Sequence, residues 1–179
     1  MIIHKHIERK ILTDYFFIEG KVPVDSDYFI KNINRAIKKD GNENYKTHVK
    51  GQMTGWQHFA EDQKFNEVLT KLIKEVDTNL NLPRYRLVDA WGYCLKKHEK
   101  TNFHNHKPSL WSAALYLNKH SQKLEFPQIN QSVKPERGKF VIFSSLLNHG
   151  CKESKSDKVK YGISFNMSEL TIADVNESK

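Results

Sequence analysis

Cysteine is scarce in this chain, and long apolar runs are missing from it. Two cysteines among 179 residues, Cys94 and Cys151, are too few for a disulfide framework and suit a reducing compartment. No apolar run approaches the length that spans a bilayer, and the first residues lack the pattern of a secretory signal peptide. These absences predict a cytoplasmic protein, of a cell or of an infected host, with no membrane partner.

Motifs of several common enzyme classes are also missing. Gly138 and Gly162 stand alone and form no glycine-rich phosphate loop, and Ser144-Ser145 has no base arranged beside it. No internal repeat, low-complexity tract or linker divides the sequence. Hydrophobic residues make up 38% and charged residues 28%, so we expect a globular chain with a single domain over residues 1–179.

The chain carries a clear excess of positive charge. Lysine plus arginine number 29 against 21 for aspartate plus glutamate, which favours acidic partners such as nucleic acid or an anionic cosubstrate. The lysines are spread along the chain, and aromatic residues do not interleave with them as a base-stacking platform requires. A basic solvated surface is the simplest interpretation. Nucleic-acid binding stays open, without a motif to support it.

Apolar periodicity predicts helices first and strands afterwards. Residues 27–39 and 62–80 place apolar side chains at helical spacing, and after Pro83 the spacing becomes that of strands. The predicted strands, including a short one near Leu124–Phe126, are 85–96, 110–117, 124–126, 140–145 and 161–167. In the first of them, Trp91 and Tyr93 face either the helices or a pocket.

This order predicts an α+β domain. We expect a helical N-terminal part over 1–83, a jelly-roll core over 84–168 and a tail over 169–179, with the helices packed on one sheet. Within the last strand, Ile163 and Phe165 alternate with the polar Lys160 and Ser164. One face therefore suits packing, and the other suits a polar cavity, where an inward lysine needs an anionic partner.

Three histidines carry the sharpest chemical signal. His104 and His106 are two residues apart on an extended segment and so point the same way, and His149 comes from a later strand. If the three imidazoles converge, they cover one face of a metal ion. Mononuclear non-haem iron sites have this geometry and leave positions open for a cosubstrate and for dioxygen.

Other interpretations of these residues stay open. Histidines are also common as structural or solvent-facing residues, and the remaining six, His48 among them, are interpreted as surface or locally bonded. Cys151 is either a soft metal ligand or a buried thiol. Zinc could occupy three imidazoles, and a zinc hydrolase would need a base such as Glu99 or Glu153.

The sequence resembles a known superfamily over about residues 89–167. The order of His104-x-His106, Leu115-Tyr116-Leu117-Asn118, Gly138-Lys139-Phe140-Val141-Ile142-Phe143, His149 and Lys160-Tyr161-Gly162-Ile163-Ser164-Phe165-Asn166 is similar to that of the 2-oxoglutarate- and iron(II)-dependent oxygenases. Within them it most resembles oxygenases found in phage and marine bacteria, and more distantly the prolyl hydroxylases. The resemblance implies a double-stranded β-helix, the cupin-like form of the jelly roll.

The resemblance also implies roles for individual residues. His104, His106 and His149 occupy the positions of the metal ligands, and Fe(II) and 2-oxoglutarate are the implied cofactors. Three further residues are implied to bind the remote carboxylate of 2-oxoglutarate: Lys160, Tyr116 and Ser164. With dioxygen, such a site oxidises an unidentified substrate, often by hydroxylation, and releases succinate and carbon dioxide.

His106 departs from the pattern of these oxygenases, which place Asp or Glu at the second ligand position. A neutral imidazole leaves the site more positive, and a lysine at position 160 gives a point charge where arginine would give a bidentate fork. Two alternatives follow. One is a three-histidine, cupin-like dioxygenase that does not use 2-oxoglutarate, and the other is a non-enzymatic basic binding module.

Overall fold

Strands dominate the described part of the chain, which is residues 2–8, 13–40 and 47–170 of a computed structural model. Two α-helices, α1 (Ser26–Asp40) and α2 (Gln63–Asn79), lie among them, with a 3-10 turn at Pro127–Ile129. The strands are β1 (Ile2–Glu8), β2 (Thr13–Lys21), β3 (Val49–Lys50), β4 (Gln52–Met53), β5 (Tyr85–Leu95), β6 (Lys100–His104), β7 (Trp111–Tyr116), β8 (Leu124–Phe126), β9 (Gln131–Val133), β10 (Lys139–Ser144), β11 (His149–Cys151) and β12 (Lys160–Glu169). Within these ranges no helix is long and apolar enough to cross a lipid bilayer.

Both helices form where apolar side chains recur at helical spacing. The stripe of α2 buries Phe65, Leu72 and Val76. At its start, the Asp62 carboxylate accepts a hydrogen bond of 2.9 Å from the backbone N–H of Phe65, which satisfies one donor of the first turn. The two helices predicted from the sequence are confirmed to within one residue at each end.

The strands form two antiparallel sheets. The larger has seven strands in the order β1-β2-β10-β7-β12-β5-β4, and the smaller has five in the order β3-β6-β11-β8-β9. The five strands predicted from the sequence correspond to β5, β7, β8, β10 and β12. The chain is an α+β double-stranded β-helix with helices on one sheet, and the predicted fold class is confirmed.

The N-terminal part differs from the helical segment predicted for 1–83, because β1 and β2 join the larger sheet. Phe16 and Ile18 of β2 pack towards the helices, whereas Tyr15 and Phe17 pack between the sheets. The middle of β2, residues 15–18, is covered on both faces and is a continuous apolar run, which periodicity alone does not distinguish from a segment of buried helix. At the other end, β12 extends to Glu169, and residues 171–179 of the predicted tail lie outside the described residues.

The two faces of the larger sheet have different roles. On its outer face, Ile33 of α1, Leu72 of α2 and Ile163 of β12 belong to one buried cluster. On its inner face, Phe143 of β10 packs edge-on against Phe126 of β8, with ring centroids 4.9 Å apart. The helices thus cover one face, and the space between the two sheets holds the site.

Candidate metal centre

A β-bulge in β6 aims His104 into the space between the sheets. His149 of β11 lies opposite His104, and Cys151 lies opposite Thr101, so β6 holds one more residue than β11 over this stretch. Without the extra residue, Thr101 and His104 would point to opposite faces. With the bulge, both line the same cavity, in keeping with the way bulges re-aim side chains beside functional sites.

His106 joins His104 and His149 just beyond the end of β6. Its backbone N–H donates to the carbonyl of Ser145 at 2.9 Å, which fixes this turn against the end of β10. The nitrogen atoms that the three imidazoles offer to a metal lie within 4.8 Å of one another. The predicted convergence of the three histidines is therefore present in the structure, and its role in binding iron stays a prediction.

Hydrogen bonds fix how two of these rings present their nitrogens. Nδ1 of His104 lies 2.8 Å from the carbonyl oxygen of Asn102, and Nδ1 of His149 lies 3.0 Å from that of Leu147. A carbonyl oxygen only accepts, so each Nδ1 carries the hydrogen and donates it. Each Nε2 then keeps a lone pair, which is the arrangement in metal-ligating histidines.

Burial keeps the three imidazoles neutral. Burial, and to a smaller extent the neighbouring His104, lowers the pKa of His106 from its ordinary 6.5 to about 3. Burial likewise lowers the pKa of His104, and it lowers that of His149 well below the ordinary value. Because a metal binds only unprotonated imidazole, the donor set fits a divalent cation at neutral pH.

Lys160 lines the same cavity and is almost fully buried, with 1% of its surface exposed. Its Nζ lies 3.1 Å from Sγ of Cys151 and 5.9 Å from the ring centroid of Tyr116. Within the described ranges the ammonium has no carboxylate partner. A buried amine whose near neighbour is a sulfur fits an anionic ligand.

Tyr116 and Ser164 lie near this amine in different ways. Ser164 lines the cavity, on the same face of β12 as Lys160, whereas Ile163 and Phe165 belong to the outer cluster. Tyr116 is not among the lining residues. Its hydroxyl is buried and has no hydrogen-bond partner in the described structure, and burial raises its pKa. The structure thus brings Lys160 and Tyr116 together, and their role in binding a cosubstrate stays a prediction.

Two aromatic residues that the sequence left unassigned line the cavity: Trp91 and Tyr93 of β5. Gly162 of β12 pairs with Tyr93 on one side and with Tyr116 on the other. A Cβ on Gly162 would lie 2.5 Å from the Tyr93 hydroxyl oxygen, so only glycine leaves room for that ring. On the cavity face of β12, Gly162 lies between Lys160 and Ser164, and this glycine is the sequence signal that could have indicated a large side chain opposite it.

His48 is a further neighbour that the sequence did not reveal. Its exposed ring stacks on that of His104, with centroids 4.4 Å apart and 9° between the planes. The contact depends on the pairing of β3 with β6, and β3 has only two residues, too few for a strand pattern. His48 therefore packs against the metal-ligand candidate at the edge of the site.

Acidic side chains are missing from the cavity wall in the described structure. The Glu153 carboxylate instead lies 2.7 Å from Nδ1 of the exposed His98, and that of Glu99 accepts from the backbone N–H of Lys96 at 2.7 Å. Neither is placed as the base that a zinc hydrolase would need. Cys151 is a free thiol in contact with Lys160 and lies outside the group of potential metal ligands.

No protein-family model matches the chain, and no curated protein matches it in sequence. Its fold is similar to that of the viral collagen prolyl hydroxylase vCPH from Paramecium bursaria chlorella virus-1, in complex with 2-oxoglutarate. That match has a TM-score of 0.67 and 18% identity, and it covers 87% of this chain and 96% of the other.

Two bacterial structures give a similar result. A prolyl-4-hydroxylase from Pseudomonas putida matches with a TM-score of 0.65 and 14% identity, over 87% of this chain and 93% of the other. HygX from Streptomyces hygroscopicus, with nickel and 2-oxoglutarate bound, matches with a TM-score of 0.65 and 12% identity, over 87% and 83%. At such low identity these likenesses establish the double-stranded β-helix, which is the fold of these oxygenases.

Proposed function

We propose that this protein is an iron(II)- and 2-oxoglutarate-dependent dioxygenase. The observation that carries the proposal is a single cavity lined by three histidines and a buried lysine. The metal-ligating atoms of the histidines lie within 4.8 Å of one another, and the lysine has no carboxylate partner in the described structure. The cavity therefore contains both parts of a site for a metal and 2-oxoglutarate: a neutral set of ligands for the metal and a cation for the dicarboxylate.

The histidines would hold the metal. His104, His106 and His149 would bind iron(II) through one nitrogen each, and the hydrogen bonds to Asn102 and Leu147 keep two of the rings oriented. Bound iron(II) and 2-oxoglutarate supply the oxygen activation that yields succinate, carbon dioxide and an oxidised substrate carbon. The protein would position these partners, and apolar side chains such as Leu124 and Phe143 line the same cavity.

Lys160 and the hydroxyl groups near it would hold the cosubstrate. The Lys160 ammonium would pair with the remote carboxylate of 2-oxoglutarate, and the hydroxyl groups of Tyr116 and Ser164 would donate to it. Two of the similar structures, vCPH and HygX, contain 2-oxoglutarate, which supports the same cosubstrate here. We place the activity in the cytosol, since Cys94 and Cys151 are free thiols. The narrower likeness to phage and marine bacterial oxygenases rests on the sequence pattern.

An anaerobic titration tests the proposal. Protein loaded with iron(II) should develop the weak visible charge-transfer band of the metal chelate when 2-oxoglutarate is added. His149→Ala should abolish the band, whereas His58→Ala, which removes an exposed histidine outside the cavity, should keep it. If the iron-loaded native chain does not develop the band, the protein does not bind 2-oxoglutarate at the metal and this part of the proposal is wrong.

One observation favours a second candidate, a three-histidine dioxygenase that activates its substrate without 2-oxoglutarate. His106 stands where a carboxylate is usual, and no acidic side chain of the described structure lines the cavity. The two candidates differ in product and in their need for the lysine. Oxygen-dependent succinate release that is lost in Lys160→Ala supports the first, and oxygen consumption unaffected by this substitution supports the second.

A further inference from the structure

Lys160 and Cys151 form a buried pair of an amine and a thiol. Lys160 Nζ lies 3.1 Å from Cys151 Sγ, and the two residues are 1% and 3% exposed. They come from different sheets, Lys160 from β12 and Cys151 from β11, so their side chains meet across the cavity. Cys151 forms no disulfide, and Cys94, the other cysteine, is also a free thiol. The amine is thus the hydrogen-bond partner of the Cys151 sulfur.

We propose that this pair is an oxidation-sensitive modification site, at which hydrogen peroxide joins Lys160 Nζ to Cys151 Sγ through one bridging oxygen atom. One peroxide converts the thiol to a sulfenic acid and releases water. A second peroxide oxidises the neutral amine to a hydroxylamine and releases a second water. Condensation of the N–OH and S–OH groups forms the N–O–S bridge and expels a third water.

The three reaction steps balance in electrons and in atoms. Nitrogen and sulfur lose two electrons each, two peroxides accept the four, and three waters form. The proton that the ammonium must first lose passes to solvent. Hydrogen peroxide is the oxidant required, and it is only slightly larger than a water molecule.

Packing favours the bridge over other products. At a separation of 3.1 Å, an inserted oxygen joins the two atoms with little movement of either strand. A direct sulfur–nitrogen bond would draw the atoms much closer, against the close packing of the apolar cluster that contains Cys151. Cys94 has no comparable neighbour, since its Sγ lies 3.7 Å from Oε1 of Gln52, and it provides an internal comparison.

The bridge would remove the cation from the cavity while leaving the three histidines unchanged. This consequence rests on the proposed function, in which the same ammonium pairs with the cosubstrate. Peroxide would then stop 2-oxoglutarate binding without releasing the metal, and a thiol reductant would restore it. The modification itself depends only on the contact between Lys160 and Cys151.

Intact-mass spectrometry of the full chain, kept iron-free with a chelator and titrated with hydrogen peroxide, tests the proposal. The bridge gains one oxygen and loses two hydrogens, a rise of about 14 Da, whereas each step of the cysteine oxidation ladder adds about 16 Da. Trypsin should then release residues 140–152 joined to 159–179, because modified Lys160 is no longer a cleavage site. Dithiothreitol should restore the original mass.

Three variants complete the test. Cys94→Ser should show the same gain as the native chain, whereas Cys151→Ser and Lys160→Gln should not. A native chain in which Cys151 gains only whole oxygen atoms, or a Lys160→Gln chain that still forms the cross-link, would overturn the proposal. Neither iron nor 2-oxoglutarate enters the measurement, so its failure is distinct from a failure of the proposed function.

Discussion

Adding one methyl group at Gly162 tests whether Tyr93 forms a wall of the pocket proposed for 2-oxoglutarate. In Gly162→Ala the new Cβ would lie 2.5 Å from the Tyr93 hydroxyl oxygen and 2.6 Å from Cζ, so the ring must move. Overpacking of this kind destabilises a protein by about 1–3 kcal/mol. The displaced ring would intrude on the cavity and weaken the binding of 2-oxoglutarate. If the binding free energy becomes less favourable by about 1.4 kcal/mol, the dissociation constant of 2-oxoglutarate rises about tenfold.

Gly92→Ala is the matched control for this substitution. Its Cβ would lie 2.4 Å from Cγ1 of Ile33 and 2.9 Å from Cε2 of Phe59, on the outer face of the same sheet. We expect a similar loss in the free energy of unfolding, measured with urea, and an unchanged dissociation constant, measured from the charge-transfer band. The reasoning is refuted if Gly162→Ala binds 2-oxoglutarate as tightly as the native chain, or if both variants lose the same affinity.

Lys160→Ala should raise the dissociation constant of 2-oxoglutarate about tenfold to a hundredfold, since a hydrogen bond to a charged group contributes about 1.5–3 kcal/mol, and iron affinity should persist. The exposed Lys158→Ala should change neither quantity. Burial lowers the pKa of His106 from 6.5 to about 3, so between these values the unfolded chain binds more protons than the metal-free folded chain. The free energy of unfolding should therefore decrease as the pH is lowered below 6.5, by at most about 1.4 kcal/mol per pH unit for this group. A free energy of unfolding, measured with urea, that does not change with pH in this range would contradict the prediction. Asp62→Ala should lower the free energy of unfolding by about 0.5–2 kcal/mol, because the Phe65 N–H loses its acceptor, and should leave iron affinity unchanged.

Elements with a regular period could be predicted from the sequence, because a period reports which side chains share a face. Helix α2 keeps one apolar stripe over its whole length. Strand β12 alternates strictly, which placed Lys160 and Ser164 on the cavity face and Ile163 and Phe165 on the helix face. In both elements the local sequence pattern alone predicts which side chains share a face.

The orientation of β5 could not be predicted in this way, because it is set by pairing. Trp91 and Tyr93 fit the helix face and the cavity face equally well as sequence. The register places Tyr93 opposite Gly162, whose missing side chain admits the ring, and Gly92 opposite Ile163 on the outer face. Register depends on residues far along the chain, so no local pattern contains it.

The bulge in β6 is a second feature that only the partner strand reveals. His104 faces the cavity because three residue steps of β6 span two steps of β11. From the sequence, the shared direction of His104 and His106 follows from simple alternation, although His106 already lies beyond the strand. Simple alternation therefore predicts that the histidines converge, but the bulge in β6 and the turn after it are what orient His104 and His106.

The polar groups at one end of this cavity lower the stability of the folded chain. Burying the Lys160 amine and leaving the Tyr116 hydroxyl without a described partner both raise the free energy of the folded chain, by about 1–3 kcal/mol for an unsatisfied group. The outer cluster, in which α1 and α2 cover the larger sheet, supplies apolar burial that offsets this cost. Groups that destabilise a fold are retained where a ligand satisfies them. A dicarboxylate that reached both groups would satisfy them, so the energetic argument and the geometry of the cavity both support the proposed ligand.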